Sequence, residues 1–338
     1  MHSAGRRAHA TSLLEAPGSG DEANDMTLML ATFNVKNLLE PPAGPTAEAS
    51  SALSVPARKD ALAAKIAWIA RMLRECDADV VGLQEIGPPE LLAAVLAHLP
   101  GDAYREVIGT PDARGIRCAL LSRAPILAAR VHTAPALAFP VYREGDPQPF
   151  GSRIPLRRGV VHARIDSADL GAVDVLVVHF KSARPVALCD AAGREVEPTT
   201  ARARAEAALR SVVWRAAEAL HTRGIVDGLL AADPRALVAV VGDLNDVPDS
   251  LVVRTLCGGG EGALVDCSSR VRQEERFSSI HNGRRIQIDH VLATERLCSR
   301  VTAARFVNRD LREHAALPGG DEVPTFDSDH APLVVRFG

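Results

Sequence analysis

Val238-Ala239-Val240-Val241-Gly242-Asp243-Leu244-Asn245 is the stretch on which the reading of this chain turns. An unbroken apolar run rich in β-branched residues describes a strand buried on both faces. Here it runs straight into a carboxylate and, two residues on, an amide. In extended backbone, side chains at i and i+2 point the same way, so Asp243 and Asn245 can address one ligand. The same pattern suits an Asx turn opening a helix near Asp249, and the stretch alone does not choose between the two.

The design recurs along the chain. Thr27 to Phe33 is strand-like and Asn34 ends it; Val80-Val81-Gly82-Leu83 ends in Gln84-Glu85; Val175 to Val178 ends in His179. Asp289-His290 lies inside Ile286 to Leu292, and Asp329-His330 precedes the run Leu333 to Phe337. Further strands are expected at Ile116 to Leu121, Ile126 to Val131, Val160 to Ile165 and Val173 to Phe180, and helices at about 59 to 74, 89 to 98, 200 to 221 and 249 to 256. The middle strands follow one another through loops too short for regular crossover helices. That spacing argues for largely antiparallel or mixed sheets with helices outside, rather than a doubly wound parallel sheet. A buried charge needs a partner or a metal, so several strand ends each offering a carboxylate, amide or imidazole are best explained by one shared site.

Composition narrows the function classes. The 338 residues are 47% hydrophobic and 24% charged, an ordinary globular balance that excludes collagen-like, coiled-coil and wholly disordered chains. With aromatics at only 4%, stacking platforms for bases are scarce. The formal net charge of -3 lacks the overall basic bias of a protein that lives on nucleic acid, although a local basic patch remains open. The six cysteines sit singly, with no Cys-x-x-Cys pair and no zinc-like spacing with histidine, so reduced thiols are expected rather than a disulfide or structural zinc framework. No stretch approaches eighteen consecutive apolar residues, so no transmembrane segment is expected. Residues 1–25 lack the apolar core of a secretory signal and read as a flexible N-terminal tail, which makes a cytoplasmic location the expectation. Residues 26–338 read as one domain, and Met26 is an alternative translation start. The polar or Pro-rich segments Glu40 to Pro56, Ala136 to Pro155 and Ala183 to Pro198 read as loops.

Six phrases then carry a family resemblance: Thr32-Phe33-Asn34-Val35-Lys36-Asn37-Leu38, Asp79-Val80-Val81-Gly82-Leu83-Gln84-Glu85, His179-Phe180-Lys181-Ser182, Gly242-Asp243-Leu244-Asn245, Ile288-Asp289-His290 and Ser328-Asp329-His330. In this order they resemble the endonuclease/exonuclease/phosphatase superfamily, the deoxyribonuclease-I-like fold, and within it the bacterial nuclease-like branch. The resemblance spans residues 27 to 338. It implies a four-layer α/β sandwich, two mixed and mostly antiparallel sheets face to face with helices outside. It also implies a divalent-metal phosphodiester hydrolase, with Mg2+ or Mn2+ as cofactor and in-line attack of water on phosphorus. By position, Asn34, Glu85 and Asp329 would serve the metal, Glu85 most directly. Asp243 would orient or deprotonate the water, Asn245 would bond a phosphoryl oxygen, His330 oriented by Asp289 would meet the phosphate or move a proton, and His179 would face it. Arg158 and Lys181 would add charge for the substrate, whereas His281 and His290 are expected to be peripheral. Lys36-Asn37 departs from the Glu-Asn often found in this branch. His179 leans away from abasic-site repair enzymes, which carry Tyr there.

Nucleic acid is the first-choice substrate, with Arg153, Arg157, Arg158, Lys181, Arg184, Arg202, Arg204, Arg284 and Arg285 near the motifs as a phosphate track. No protein partner is implied. The alternatives are a phospholipid or inositol-phosphate hydrolase on the same fold and, from another class, a non-catalytic phosphate-binding module. The last would be expected to have lost catalytic side chains, and none of the eight strand-end residues is missing.

Overall fold

The computed structural model describes residues 27–40, 55–101, 104–137, 154–186, 188–189, 195–314 and 326–338. The expected tail and most of the expected loops at 40–56 and 136–155 lie outside these residues, as does Arg153, whereas the loop expected over 183–198 is largely described and includes a short strand pair. β1 (Leu28–Leu38) leads through α1 (Val55–Cys76) to β2 (Val80–Ile86). After α2 (Pro89–Leu96) come β3 (Arg105–Ile108), β4 (Arg117–Ser122), β5 (Ile126–His132), β6 (Val160–Ser167) and β7 (Gly171–His179). The small pair β8 (Leu188–Cys189) and β9 (Glu195–Val196) precedes α3 (Ala201–Ala232), β10 (Leu237–Asp243) and α4 (Leu251–Cys257). The remainder is β11 (Leu264–Asp266), the hairpin β12 (Ser279–His281) with β13 (Arg284–Ile286), β14 (Asp289–Thr294), α5 (Glu295–Cys298), β15 (Val301–Phe306) and β16 (Leu333–Phe337).

Two six-stranded sheets result, in the orders β15-β16-β1-β2-β4-β3 and β11-β14-β10-β7-β6-β5. Each holds one parallel pairing, β1 with β2 and β7 with β10, and is otherwise antiparallel. Strand alternation divides the apolar residues between faces. Leu30, Val80 and Leu120 meet Val161, Val175, Val177 and Val241 between the sheets. Ala31, Phe33, Val81 and Leu83 turn outward under Ile69, Leu73 and Leu92 of α1 and α2. Leu176, Val178, Val238 and Val240 face α3 and α4. Strands coated on both faces must be continuously apolar, which is why their runs stand out in the sequence. Gly82 permits close approach of the layers: a Cβ there would lie 2.6 Å from Val241 Cγ2 and 3.1 Å from Val177.

The helix expected to end near 221 continues to Ala232, because Val226, Ile225 and Leu229 keep packing on the second sheet while Gly224 and Gly228 face away from neighbours. The single strand expected over 286 to 292 is two, β13 and β14, broken where Gln287 turns in to Ser268 and Asp266. Among the described residues, no helix is long and apolar enough to cross a membrane, and Cys76, Cys118, Cys257, Cys267 and Cys298 are free.

Candidate active site

The two parallel pairings aim their C-terminal ends at one edge of the sandwich. In register, Asn34 lies opposite Gln84, and Asp243 lies opposite both His179 on β7 and Asp289 on β14. The tight approach of β7 and β10 at this point requires Gly242, which has φ 151° and whose Cβ would meet the Val178 carbonyl oxygen at 1.9 Å. Of the six non-glycine residues with left-handed backbone among those described, Lys36, Asn37, Glu85 and Asn245 all sit here. Local strain of this kind gathers where side chains must be aimed against backbone preference. At Lys36 and Asn37 it forms an irregularity in β1, so the strand does not end at Asn34 but bends and continues to Leu38.

Asp243 Oδ2 is the hub. It accepts hydrogen bonds from Asn34 Nδ2 at 2.9 Å and Asn245 Nδ2 at 3.1 Å. His179 Nε2 lies 3.6 Å away and His330 Nε2 4.0 Å. Asp243 Oδ1 accepts the backbone N–H of Asn245 at 2.8 Å, so an Asx turn is present and serves the same group, while the helix beyond it is capped by Ser250. Glu85 Oε1 accepts Asn34 Nδ2 at 3.3 Å and stands 3.8 Å from His179 Nε2, while Oε2 takes the Asn37 N–H at 2.8 Å. Asp289 Oδ2 holds His330 Nδ1 at 2.8 Å. Ser278 Oγ receives the N–H groups of Ile288 and Asp289, and Ser328 Oγ donates to the Asn34 carbonyl and accepts the His330 N–H.

Burial drives the titration of this cluster. It raises the Asp243 carboxyl, with Asp289 adding to the effect against the pull of His330. It also lowers His179, helped by Arg158 and His330, so that imidazole is neutral. For His330 burial opposes the charge, but Asp289 and Asp243 overcome it and raise the imidazole well above its ordinary value. The site therefore holds one neutral and one cationic histidine on either side of Asp243.

Seven of the ten anticipated residues converge: Asn34, Glu85, His179, Asp243, Asn245, Asp289 and His330. Asp329 adjoins them but is paired with Lys36 Nζ at 2.9 Å, and Lys36 also meets His314 Nδ1 at 2.8 Å. Asn34 Oδ1 is taken by the Lys36 N–H, so Asn34 turns its amide nitrogen to the centre. Arg158 stands behind His179, its guanidinium on Asp112 at 3.2 Å and on the carbonyls of His179 and Phe180. Lys181 Nζ caps the carbonyls of Ser182 and Arg184. Neither cation points into the cluster. His290 is buried against the Asp246 carbonyl, and His281 is exposed on the β12–β13 hairpin beside exposed Arg284 and Arg285.

The sequence reading missed a buried polar stripe on α3, Ser211, Arg215, Glu218 and Thr222. Their helical spacing was the available signal. Arg215 grips Asp246 just past Asn245, at 3.0 Å, and Glu218 Oε2 accepts the Lys181 N–H at 2.6 Å. The helix thus braces the ends of β7 and β10.

The donor set suits a hard divalent cation. Asp289 Oδ1 is buried without a hydrogen-bond partner, in a carboxylate grouped closely with that of Asp243, and imidazole is the minority ligand type. Among the described residues, one group of three can hold a metal ion, Asp243, Asp289 and His330, with ligand atoms within 4.8 Å of one another.

Comparison with known proteins gives the family and the fold. The model of the endonuclease/exonuclease/phosphatase family matches residues 31–330, and the chain belongs to that family of phosphoric-ester hydrolases. Its fold is shared with truncated TDP2 from Caenorhabditis elegans, at 15% identity over 92% of this chain and 97% of that one, with a TM-score of 0.55. A Bacteroides thetaiotaomicron mannosyl-6-phosphatase (16% identity, 91% and 98% covered, TM-score 0.55) and the human Nocturnin catalytic domain (14%, 92% and 94%, TM-score 0.52) share it too. No curated protein matches the sequence.

Proposed function

We propose that this protein is a Mg2+- or Mn2+-dependent phosphodiesterase that acts on nucleic acid. The observation that carries the reading is the convergence on Asp243 Oδ2 of two amides and two histidines. Glu85 is the principal metal ligand; Asn34 supports it through its amide nitrogen rather than by ligating, and Asp329 would have to leave Lys36 to join it. Asp243, Asp289 and His330, which together could also hold the ion, are assigned to proton handling because Asp289 already fixes the His330 ring through Nδ1. When bound, the ion supplies charge to a phosphoryl oxygen and lowers the pKa of attacking water.

The chain's own residues do the rest. Asp243 orients the water and takes its proton, which its raised affinity for protons favours. Asn245 exchanges its contact with Asp243 for a phosphoryl oxygen. Cationic His330 faces the phosphate and stabilises the charge that accumulates in the transition state. Neutral His179 donates its Nε2–H from the other side. Exposed Arg184, Arg202, Arg204, Arg284 and Arg285 favour a polyanion over a small headgroup.

The test is a substrate panel with Mg2+: supercoiled DNA, single-stranded DNA, RNA, sphingomyelin and inositol phosphates, run beside Glu85→Gln. Turnover of nucleic acid that Glu85→Gln abolishes is expected. Turnover confined to the lipid or inositol phosphates would transfer the site to the alternative substrate class. Undiminished Mg2+-dependent turnover by Glu85→Gln would remove Glu85 as principal ligand.

A further inference from the structure

On the face of the second sheet that α3 covers, two strands across from β7 and His179, lies a second cluster of imidazoles. Arg130 on β5 is in register with His162 on β6, so His132 sits diagonally across from His162 on the same face. His132 Nε2 and His162 Nδ1 are 3.3 Å apart, and the rings stack with centroids 5.4 Å apart. Asp174 on β7 closes the arrangement from behind: its Oδ1 lies 2.8 Å from His162 Nε2, the nitrogen that does not face His132, and Arg164 holds its Oδ2 at 3.1 Å. His221 on α3 is near enough to His132 to act on its charge, and His221 Nε2 is buried without a hydrogen-bond partner.

We propose that His132 Nε2 and His162 Nδ1 are the protein ligands of a transition-metal site, selective for a borderline cation such as Zn2+ and separate from the catalytic centre. The spacing is the first argument. Two nitrogens each about 2.0–2.1 Å from a tetrahedral zinc stand about 3.3 Å apart, the separation observed here before any ion is considered. The second is the carboxylate on the far nitrogen of His162, the arrangement that fixes tautomer and ring orientation in metal-bound histidines and makes the ligand nitrogen more basic. The hydrogen bond that now joins the two nitrogens gives way to the ion, and its proton moves to His132 Nδ1. β5 is an edge strand with Arg130 exposed, so water can complete the coordination from the solvent side. Arg164 is engaged by Asp174, which limits its repulsion of a cation. A hard ion such as Mg2+ has little affinity for two imidazoles and no reason to compete here.

Zinc titration calorimetry on the full chain, with Mg2+ saturating so that the carboxylate cluster is occupied, tests the assignment independently of any substrate. Wild type should bind one equivalent of Zn2+ more than His132→Ala or His162→Ala, and Asp174→Asn should retain that equivalent with affinity lowered roughly 10- to 100-fold. His132→Gln, on the edge strand and of similar size, guards against misfolding, and it should lose the equivalent at an unchanged melting temperature. Equal zinc stoichiometry in wild type and His132→Gln, or no uptake by wild type, would overturn the site. The catalytic reading would stand in either case.

Discussion

Glu218 provides a test of the brace behind the site that needs no substrate. Its carboxyl is completely enclosed, Oε1 has no hydrogen-bond partner, and burial pushes it up from 4.5 to about 7 despite the Lys181 N–H and the nearby Arg158 and Arg157. A carboxyl whose pKa is raised by folding favours the folded state while it is protonated. That contribution is complete below pH 4.5 and is lost as pH rises through about 7. At about 1.4 kcal/mol per pKa unit, the loss is roughly 3 kcal/mol. Glu218→Gln keeps the shape and an oxygen for the Lys181 N–H but cannot ionise. Urea unfolding of both proteins from pH 4 to 9 should give stability curves that nearly coincide below pH 4.5, diverge as the pH rises from 4.5 to about 7 and keep a constant separation above that, with the Gln variant more stable by up to about 3 kcal/mol. The difference between the two cancels the other titrating groups. A separation that does not change over the whole range, or a variant less stable at pH 8, would refute the reasoning and show the buried carboxylate to be fully compensated by its cations.

Other expectations follow from the geometry. His179→Ala and His330→Ala should each lower kcat by roughly a hundredfold or more, and the double variant should lose less than the product of the two, as groups acting together do; normal kcat per folded molecule in His179→Ala would make it a structural histidine. If duplex DNA is held along the exposed arginines, binding should fall by roughly a thousandfold or more between about 50 and 200 mM salt, whereas a shallow slope would argue for a small phosphate ligand. Gly242→Ala, whose Cβ would lie 1.9 Å from a carbonyl oxygen, should remove the cooperative unfolding transition or lower its midpoint severely. A melting curve like that of wild type would disprove the tight β7–β10 approach.

What could be read in advance followed from where polarity interrupts apolarity. The sandwich strands are coated on both sides, so their runs are uninterrupted and their ends conspicuous, and Glu85, His179 and Asp243 were visible as ends. β15 was not foreseen because Val301-Thr302-Ala303-Ala304-Arg305-Phe306 is buried only at its two termini and lacks a coated centre. The α3 stripe was hidden for the opposite reason, since arginine and glutamate at helical spacing ordinarily describe a wet face, and only the opposing strand ends turn it inward. The Lys36–Asp329 pair joins positions 293 apart and has no local signature at all. Nor does the His132–His162 pair, whose partners face each other only through the β5–β6 register.

The order of strands in the first sheet carries a temporal consequence. β16 lies between β15 and β1, so the last of its six strands in sequence fills an interior position rather than an edge. Until Leu333 to Phe337 is available, β1 has an open flank, and Ser328 cannot reach the Asn34 carbonyl 294 positions earlier in the chain. Asn34 is therefore seated by residues made 294 positions later. A nascent chain can hold most of the second sheet and still lack a competent centre, so the onset of catalysis during translation would report closure of the first sheet rather than gradual maturation.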